Sequence, residues 1–596
     1  MAAPAHAELG DFTATRRLLL LSVIALVLGL ISTGLSFVLL RLIAFFTNLF
    51  FFHRVSLASS SPADHMLGGL VIAVPVMGGL IIGLMARFGS ERIRGHGIPE
   101  AIEAILMNGS RVAPKLAILK PLSAAISIGS GGPFGAEGPI IMTGGAVGSL
   151  VAQFFHLTSA ERKTLLVAGA AAGMAATFAT PLAAVLLAVE LLLFEWKPRS
   201  FVPVAIACAT AGAARRYVFG TGPLFPVPPH ALFIGPSGLA GCVIAGLAAG
   251  LLSALMTKAV YASEDAFQRL PIHWMWWPLI GGLAVGAGGF LFPQALGVGY
   301  DTIGALLQGN VSEGALAGIL LVKSSIWAIA LGSGTSGGVL APLLMMGGAL
   351  GGVEAMFLPS LGAGFWPLVS MGAILGGTMR SPFTGIVFAI ELTHDINLVL
   401  PLLVAVSLAH ATTVLLLKRS ILTEKISRRG FHVSREYNVD PLEILFVREA
   451  MRADVPALPN GATVAELQAL LAVTSRRHRL LTVVDGAQCL QGIVTRRQVE
   501  TWVRQAPSTA RLDEIMHTTA SVAYDDEPLR SAAQRMAVTG HTTLPVVSRT
   551  DHKVVGMITL ADLLAGRRHA LEAEQRRERV LTLPFVGSLE EDVAAT

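Results

Sequence analysis

Residues 129–139 read GSGGPFGAEGP, with five glycines, two prolines and one carboxylate, Glu137, set between apolar runs. Such a stretch interrupts a helix, because glycine costs about 1 kcal/mol and proline about 3 kcal/mol in a helix interior relative to alanine. Inside a bilayer the interruption is expensive, since each backbone amide left without a partner costs several kcal/mol. Broken ends are useful when something binds them. A helix N-terminus carries roughly half a positive charge, and several such ends converging make an anion site without a buried arginine. Glycines let the backbone approach the ion, and prolines suit the first turn of the next helix. Helix packing alone accounts for the glycines of GGLAVGAGG at 281–289 but leaves the prolines here unexplained. A phosphate-binding loop needs Lys-Ser or Lys-Thr after its last glycine. Gly138 is followed by Pro139, Ile140 and Ile141, which excludes it.

The surroundings are those of a membrane. Of 596 residues, 53% are hydrophobic and 14% charged, against a usual charged share of about 25%. Leu18–Leu40 holds no Asp, Glu, Lys or Arg, and similar runs recur at 67–86, 164–189, 238–257, 278–299 and 398–417. A bilayer core of about 30 Å needs about 20 apolar residues of helix, so a polytopic α-helical membrane domain is expected. No large soluble enzyme supplies so many uncharged runs. From Lys418 the texture turns to dense charge with ordinary soluble alternation. No short apolar run with a small-residue cleavage site opens the chain, so no cleaved signal peptide is expected. Arg16 and Arg17 precede the first run and KRSILTEKISRRG (418–430) follows the last. Both ends are therefore expected in the cytoplasm, with the chain in the cell membrane. The net charge of +5 belongs to these flanks and the tail and implies no nucleic acid. Cys208, Cys242 and Cys489 have no metal or disulfide spacing. HWMWWP at 273–278 reads as an interfacial anchor.

The membrane half is internally repeated. ILKPLSAAISIGSGGPFGAEGPII from Ile118 aligns with LVKSSIWAIALGSGTSGGVLAPLL from Leu321. Lys120 pairs with Lys323, Gly129 with Gly332 and Pro139 with Pro342, all at an offset of 203. Pro181 to Glu190 and Pro382 to Glu391 repeat at an offset of 201. Duplicated halves with Gly/Pro-interrupted segments at matching positions point to a transport site at the bilayer midplane.

With these residues in hand, a family resemblance is clear. GHGIPE (95–100), GAEGP (135–139) and GSGTSGGVLAP (332–342) resemble the three anion-site motifs of the CLC chloride channels and transporters, roughly GSGIP, GREGP and GxFxP. The resemblance implies an inverted repeat of broken, tilted helices, a homodimer, and one chloride or small-anion pathway per subunit. It places the gate at Glu137, whose repeat mate at offset 203 is Leu340, so the architecture itself asks for no carboxylate there. An intramembrane carboxylate is a functional candidate by default. It implies anion contacts at His96, Gly97, Ile98, Gly138, Val339, Leu340 and Leu422. Three of these positions, His96, Leu340 and Leu422, depart from the family, and so does Ala136; at Leu340 the missing phenylalanine of GxFxP should matter little, because the backbone makes the contact. His96 replaces a serine, Leu422 in SILT replaces a tyrosine, and Ala136 replaces the arginine of GREGP. A histidine can still donate a hydrogen bond to an anion. Lys120 reads either as a source of positive potential or as a structural group. Glu190 is a candidate on a proton path, yet its mate Glu391 argues for bonding backbone amides, and the inner glutamate of many proton-coupled members is Leu191. The balance of these departures leads us to expect anion flux with weak or absent proton coupling, a chloride/proton exchanger being the alternative.

The tail is a second duplication. VREAM (447–451) matches LDEIM (512–516), and GIVTRRQVE (492–500) matches GMITLADLL (556–564). LLTVVDGAQCLQGIVT and TLPVVSRTDHKVVGMIT each alternate across two strands around a polar turn. The pair resembles tandem CBS domains, α/β modules that often bind adenine nucleotides. That resemblance assigns a ribose clamp to Thr559 and Asp562, whereas the first copy offers Thr495 with Gln498. A purely structural pair is the competing reading. The expected organisation is a transmembrane domain at 1–430, a linker at 431–446, CBS copies at 447–505 and 506–568, and a charged C-terminal stretch at 569–596. No enzymatic chemistry, required cofactor or metal is expected. A cation carrier with CBS regulation would need clustered carboxylates or carbonyls, and the broken segments hold one glutamate among glycines. A membrane sensor with vestigial transport is the third reading.

Overall fold

A computed structural model of the chain describes residues 16–429, 442, 445–455, 457–473, 480–507, 510–517 and 521–575. The chain forms two compact units, Met1–Arg435 and Glu436–Thr596. The expected linker at 431–446 falls largely outside the described residues, as do residues 576–596 of the C-terminal stretch.

In the first unit, six stretches among the described residues are long and apolar enough to cross a membrane: Arg17–Phe52, Gly68–Phe88, Pro236–Gln268, Trp274–Leu291, Glu313–Gly332 and Ile396–Arg428. Helix α1 (Arg17–Phe52) exposes Leu19, Val23, Leu30 and Val38 while burying Ser32, Ser36 and Thr33. That polarity is inverted relative to a soluble protein, as lipid requires. Ser32 and Ser36 donate to the Gly169 and Gly173 carbonyls at 3.1 Å each, so the buried hydroxyls join helices. Helix α2 (Ala73–Phe88) packs against α10 (Trp277–Leu291), with Gly79 against the Pro278 carbonyl and Gly282 against the Pro75 carbonyl. The glycines at 281–289 thus serve packing.

Shorter apolar helices lie between these stretches. The order is α3 (Ile98–Met107), α4 (Pro114–Gly129), α5 (Glu137–Gln153), α6 (Ser159–Phe178), α7 (Pro181–Leu187), α8 (Pro198–Phe219) and α9 (Pro236–Gln268). The apolar run at 164–189 is therefore two helices instead of one span. They break at Ala179, which adopts a left-handed φ of 61° before Pro181 restarts the helix. After α10 come α11 (Tyr300–Leu307), α12 (Glu313–Gly318), α13 (Ser324–Gly332), α14 (Leu340–Glu354), α15 (Phe365–Met379), α16 (Pro382–Thr393), α17 (Val399–Leu416) and α18 (Ile421–Arg428).

The backbone repeats as the sequence does. Arg380 (φ 56°) breaks α15 from α16 as Ala179 breaks α6 from α7, and His394 (φ 60°) mirrors Phe194 (φ 53°). A left-handed non-glycine residue costs roughly 1–2 kcal/mol, so its recurrence at matching positions marks a shared architecture. The glycines of α5 and α14 also match. A methyl on Gly148 would come 2.3 Å from the Leu165 carbonyl oxygen, and one on Gly351 would come 2.2 Å from that of Trp366.

The second unit holds two three-stranded sheets of the same topology. In β1 (Ala457–Pro459), β2 (Leu480–Val484) and β3 (Leu490–Thr495), β1 runs parallel and β3 antiparallel to β2. In β4 (Ala523–Tyr524), β5 (Thr543–Val547) and β6 (Val554–Thr559) the pattern recurs. The segments that open each copy are exchanged. Val447 lies in the core with Leu544, Val546 and Ile558 of the second sheet, and Leu512 lies with Leu458 and Leu481 of the first. The amides and carbonyls of Arg452 and Met557 bond reciprocally at 2.9 Å.

Candidate anion pathway

Three broken helix ends meet around Glu137. This residue opens α5, Leu340 opens α14 and Ile98 opens α3, and all three are fully buried. The loops that precede α5 and α14 pair with each other. Gly135 N–H donates to the Gly338 carbonyl at 3.2 Å and Gly338 N–H to the Gly135 carbonyl at 2.8 Å. Close approach forces glycine at two positions next to this pairing. A methyl on Gly138 would stand 1.7 Å from the His96 carbonyl oxygen, and one on Gly97, whose φ is 89°, would stand 2.3 Å from that of Gly138. The N-terminal ends of α3 and α5 therefore touch backbone to backbone.

The Glu137 carboxylate turns back over this junction. Its Oε1 accepts the Ala341 N–H at 2.8 Å, and Oε2, buried, has no hydrogen-bond partner among the described residues. Oε2 lies over Gly338, where an added methyl would meet it at 2.4 Å. The amide reaching the carboxylate belongs to Ala341, one residue beyond the expected Val339 and Leu340. The reason is helical: Leu340 is the first residue of α14, and the second amide of a helix is an unpaired donor that points out of its end. His96 is 3% exposed and its Nδ1 has no partner among the described residues.

A cavity of about 480 Å³ reaches His96 from the side of Arg94, Lys425 and Arg428. The Arg94 guanidinium lies over Trp274 at 4.6 Å and over Trp277 at 5.5 Å, so two tryptophans of the expected anchor also hold a vestibule cation. Trp276 is 42% exposed. Glu100 ties two elements to this mouth. Its Oε2 accepts the Gly97 N–H at 2.8 Å and its Oε1 pairs with Lys425 Nζ at 2.6 Å. Leu422, in the first turn of α18, is fully buried. The neighbouring Ser420 hydroxyl caps its own helix, and Tyr261 gives its hydroxyl proton to the Ile421 carbonyl. Lys120 resolves as a structural group: its ammonium donates to the Ile93 and Gly95 carbonyls at 2.8 and 2.7 Å. Lys323 does the same for Ala295 and Gly297 at 2.9 and 2.7 Å.

The glutamates behind α7 and α16 are reciprocal caps. Glu391 accepts the Leu182 and Ala183 amides at 3.0 and 2.8 Å, and Glu190 accepts those of Phe383 and Thr384 at 3.2 and 2.9 Å. Each carboxylate thus closes the helix N-terminus of the other half. This is the amide-bonding role that the pairing of the two residues suggested. Leu191 is fully buried.

In the second unit, Asp562 Oδ2 accepts the Thr559 N–H at 2.9 Å and its hydroxyl at 2.6 Å. Thr495 and Gln498 repeat this at 2.9 and 2.7 Å. Both arrangements are capping boxes. The sequence missed Arg452, whose guanidinium holds Asp562 Oδ1 at 2.9 Å.

Comparison with known proteins fits this geometry. The family model described as voltage gated chloride channel matches residues 78–414, and the CBS domain model matches 447–504 and 512–568. The H(+)/Cl(-) exchange transporter ClcA of Yersinia pestis bv. Antiqua (strain Angola) is 33% identical over 346 residues, 54% of this chain and 70% of that protein. That of Klebsiella pneumoniae subsp. pneumoniae is 33% identical over 350 residues, with the same two coverages. Among solved structures, a slow cyanobacterial Cl-/H+ antiporter superposes with a TM-score of 0.61 at 24% identity, covering 69% of this chain and 97% of that one. A eukaryotic CLC transporter gives 0.57 at 18% identity, covering 91% and 98%. The chain belongs to the voltage gated chloride channel family, and it carries a tandem CBS pair behind the membrane unit.

Proposed function

We propose that this protein carries chloride and similar small anions across the membrane through a pathway gated by Glu137, one pathway in each subunit of a homodimer. One observation carries the reading. A carboxylate oxygen bonds the free amide at the start of α14 while its twin lies unpartnered over Gly338, so the side chain stands where a halide would stand. Protonation or rotation of Glu137 frees that amide for an incoming anion. Gly97, Ile98 and Gly138 shape the junction, His96 offers a ring N–H from the vestibule, Val339 and Leu340 open α14, and Leu422 makes the inner side apolar. Glu190 acts as a cap and not as a proton carrier. The work is transport, with no bond chemistry and no metal or required cofactor. The terminal cations at 16–17 and 418–429 favour a cell-membrane orientation with the CBS pair cytoplasmic. Thr559 and Asp562 are the place for an adenine nucleotide.

The exchanger reading has one observation in its favour: the relatives named above are called H(+)/Cl(-) exchange transporters. Against it, the position of the inner glutamate is the buried Leu191. The reversal potential under crossed chloride and proton gradients in liposomes decides between them. A value tracking chloride alone supports uncoupled flux; uphill proton movement at a fixed ratio, lost in Glu137→Gln, supports exchange.

A further inference from the structure

The repeat gives the inner vestibule a counterpart that the motifs alone did not reveal. Gly95-His96-Gly97-Ile98 before α3 corresponds to Gly297-Val298-Gly299-Tyr300 before α11, at an offset of 202. Gly97 and Gly299 share a positive φ, 89° and 80°, and Lys120 and Lys323 grip the two segments alike. The first segment lines the cavity described above. The second lines another, of about 390 Å³.

The two cavities lie at opposite ends of α2: Arg94, which follows that helix, lines the first, and Pro62, which precedes it, lines the second. Arg17 pairs with Glu161, and Lys163 with Glu195, so the starts of α1, α6 and α8 share one face. The second cavity is lined by Thr47 of α1 and Arg215 of α8. These lie about 45 Å and about 26 Å along their helices from that face, at 1.5 Å per residue.

The second cavity is built around an unpaired cation. Arg215 is 8% exposed, its Nε is buried without a partner, and among the described residues it makes no hydrogen bond or ion pair. Its guanidinium carbon lies 5.4 Å from the centre of the Phe219 ring. A buried charge is retained only when something compensates it. The other charged groups lining the cavity are Arg41, which donates to the Leu57 carbonyl at 2.9 Å, and Asp301, which makes no ion pair with either arginine. Tyr300 lines it too, its buried hydroxyl also without a partner among the described residues. Thr47 and Thr177 add hydroxyls, although each already donates within its own helix.

We infer that this cavity is a second anion site, in which Arg215 and the Tyr300 hydroxyl hold a small inorganic anion on the far side of Glu137 before it enters the pathway. The site supplies, from α8, a positive charge that Ala136 does not supply beside the gate. The inference deepens the chloride-transport reading, and its ligand class rests on it.

Two measurements test it. Crystals of the full-length protein soaked in bromide should show an anomalous peak beside Arg215, lost in Arg215→Gln and kept in Arg215→Lys. In liposomes, Arg215→Gln should raise the half-saturating outside chloride about five- to tenfold, as loss of a charge-assisted contact predicts. Tyr300→Phe should raise it less, and Arg215→Lys should restore it. The absence of a bromide peak, a peak indifferent to Arg215→Gln, or an unchanged half-saturation with normal flux would each overturn the site. Absence of any wild-type chloride flux would instead remove the transport reading, and the bromide peak would then decide the site by itself.

Discussion

At the scale of single residues, the pathway is defined by what Glu137 holds and by what holds the loops around it. Glu137→Gln keeps the shape of the side chain and removes its charge. We expect it to raise or uncouple anion flux and to flatten the pH dependence, measured as chloride efflux from liposomes between acidic and neutral pH. A well-folded variant with an unchanged pH profile would show that the gate lies elsewhere. Lys120 and Lys323 make a different kind of claim. Each ammonium bonds two carbonyls in a buried turn, and each carbonyl orphaned by Lys→Met costs roughly 1–3 kcal/mol. Either substitution should lower the thermal midpoint in detergent by several degrees, and Lys120→Arg should recover less than half of the loss, because the larger guanidinium does not fit the same pair of carbonyls. Equal stability of Lys120→Met and wild type would return Lys120 to a purely electrostatic role.

At the scale of elements, the halves are stitched by matching devices. Glu190 caps α16 while Glu391 caps α7, so neither half closes its own helix. Glu391→Ala should lower the thermal midpoint and leave the anion selectivity unaltered. A selectivity change at constant stability would instead place Glu391 in the pathway. The approach of α3 to α5 is stricter. Gly97→Ala would put a methyl 2.3 Å from the Gly138 carbonyl oxygen in a left-handed conformation, so we expect chloride flux to fall at least tenfold even where the protein still folds. Near-normal flux from Gly97→Ala would mean that the two helix ends do not meet in the conducting state. The pairing of Glu190 with Glu391 was legible from their common offset. That each serves the opposite half was not, because an offset gives equivalence and not contact.

At the scale of the whole molecule, a membrane unit and a CBS pair share one chain, and the proposed nucleotide position in that pair is held by an arginine. Arg452 reaches Asp562 because the segment at 447–452 adds to the sheet of the second copy. We expect Asp562→Ala to abolish measurable ATP, ADP or AMP binding to the full-length protein and Arg452→Ala to tighten it, by calorimetry; no binding to wild type or to Arg452→Ala would leave the pair structural. The sequence by itself determined the class of fold and the duplication, and it singled out Glu137 as the carboxylate without a repeat mate. Uncharged runs, glycine-proline breaks and repeated motifs each encode a local cost that only a membrane-embedded anion site of this kind relieves. Only the tertiary structure decided which amide meets Glu137, what Lys120 and Glu190 bond, and that Arg215 lines one cavity with Tyr300 with no ion pair among the described residues. Those outcomes depend on backbone approaches between segments up to two hundred residues apart, and no periodicity within a segment reports what lies across from it.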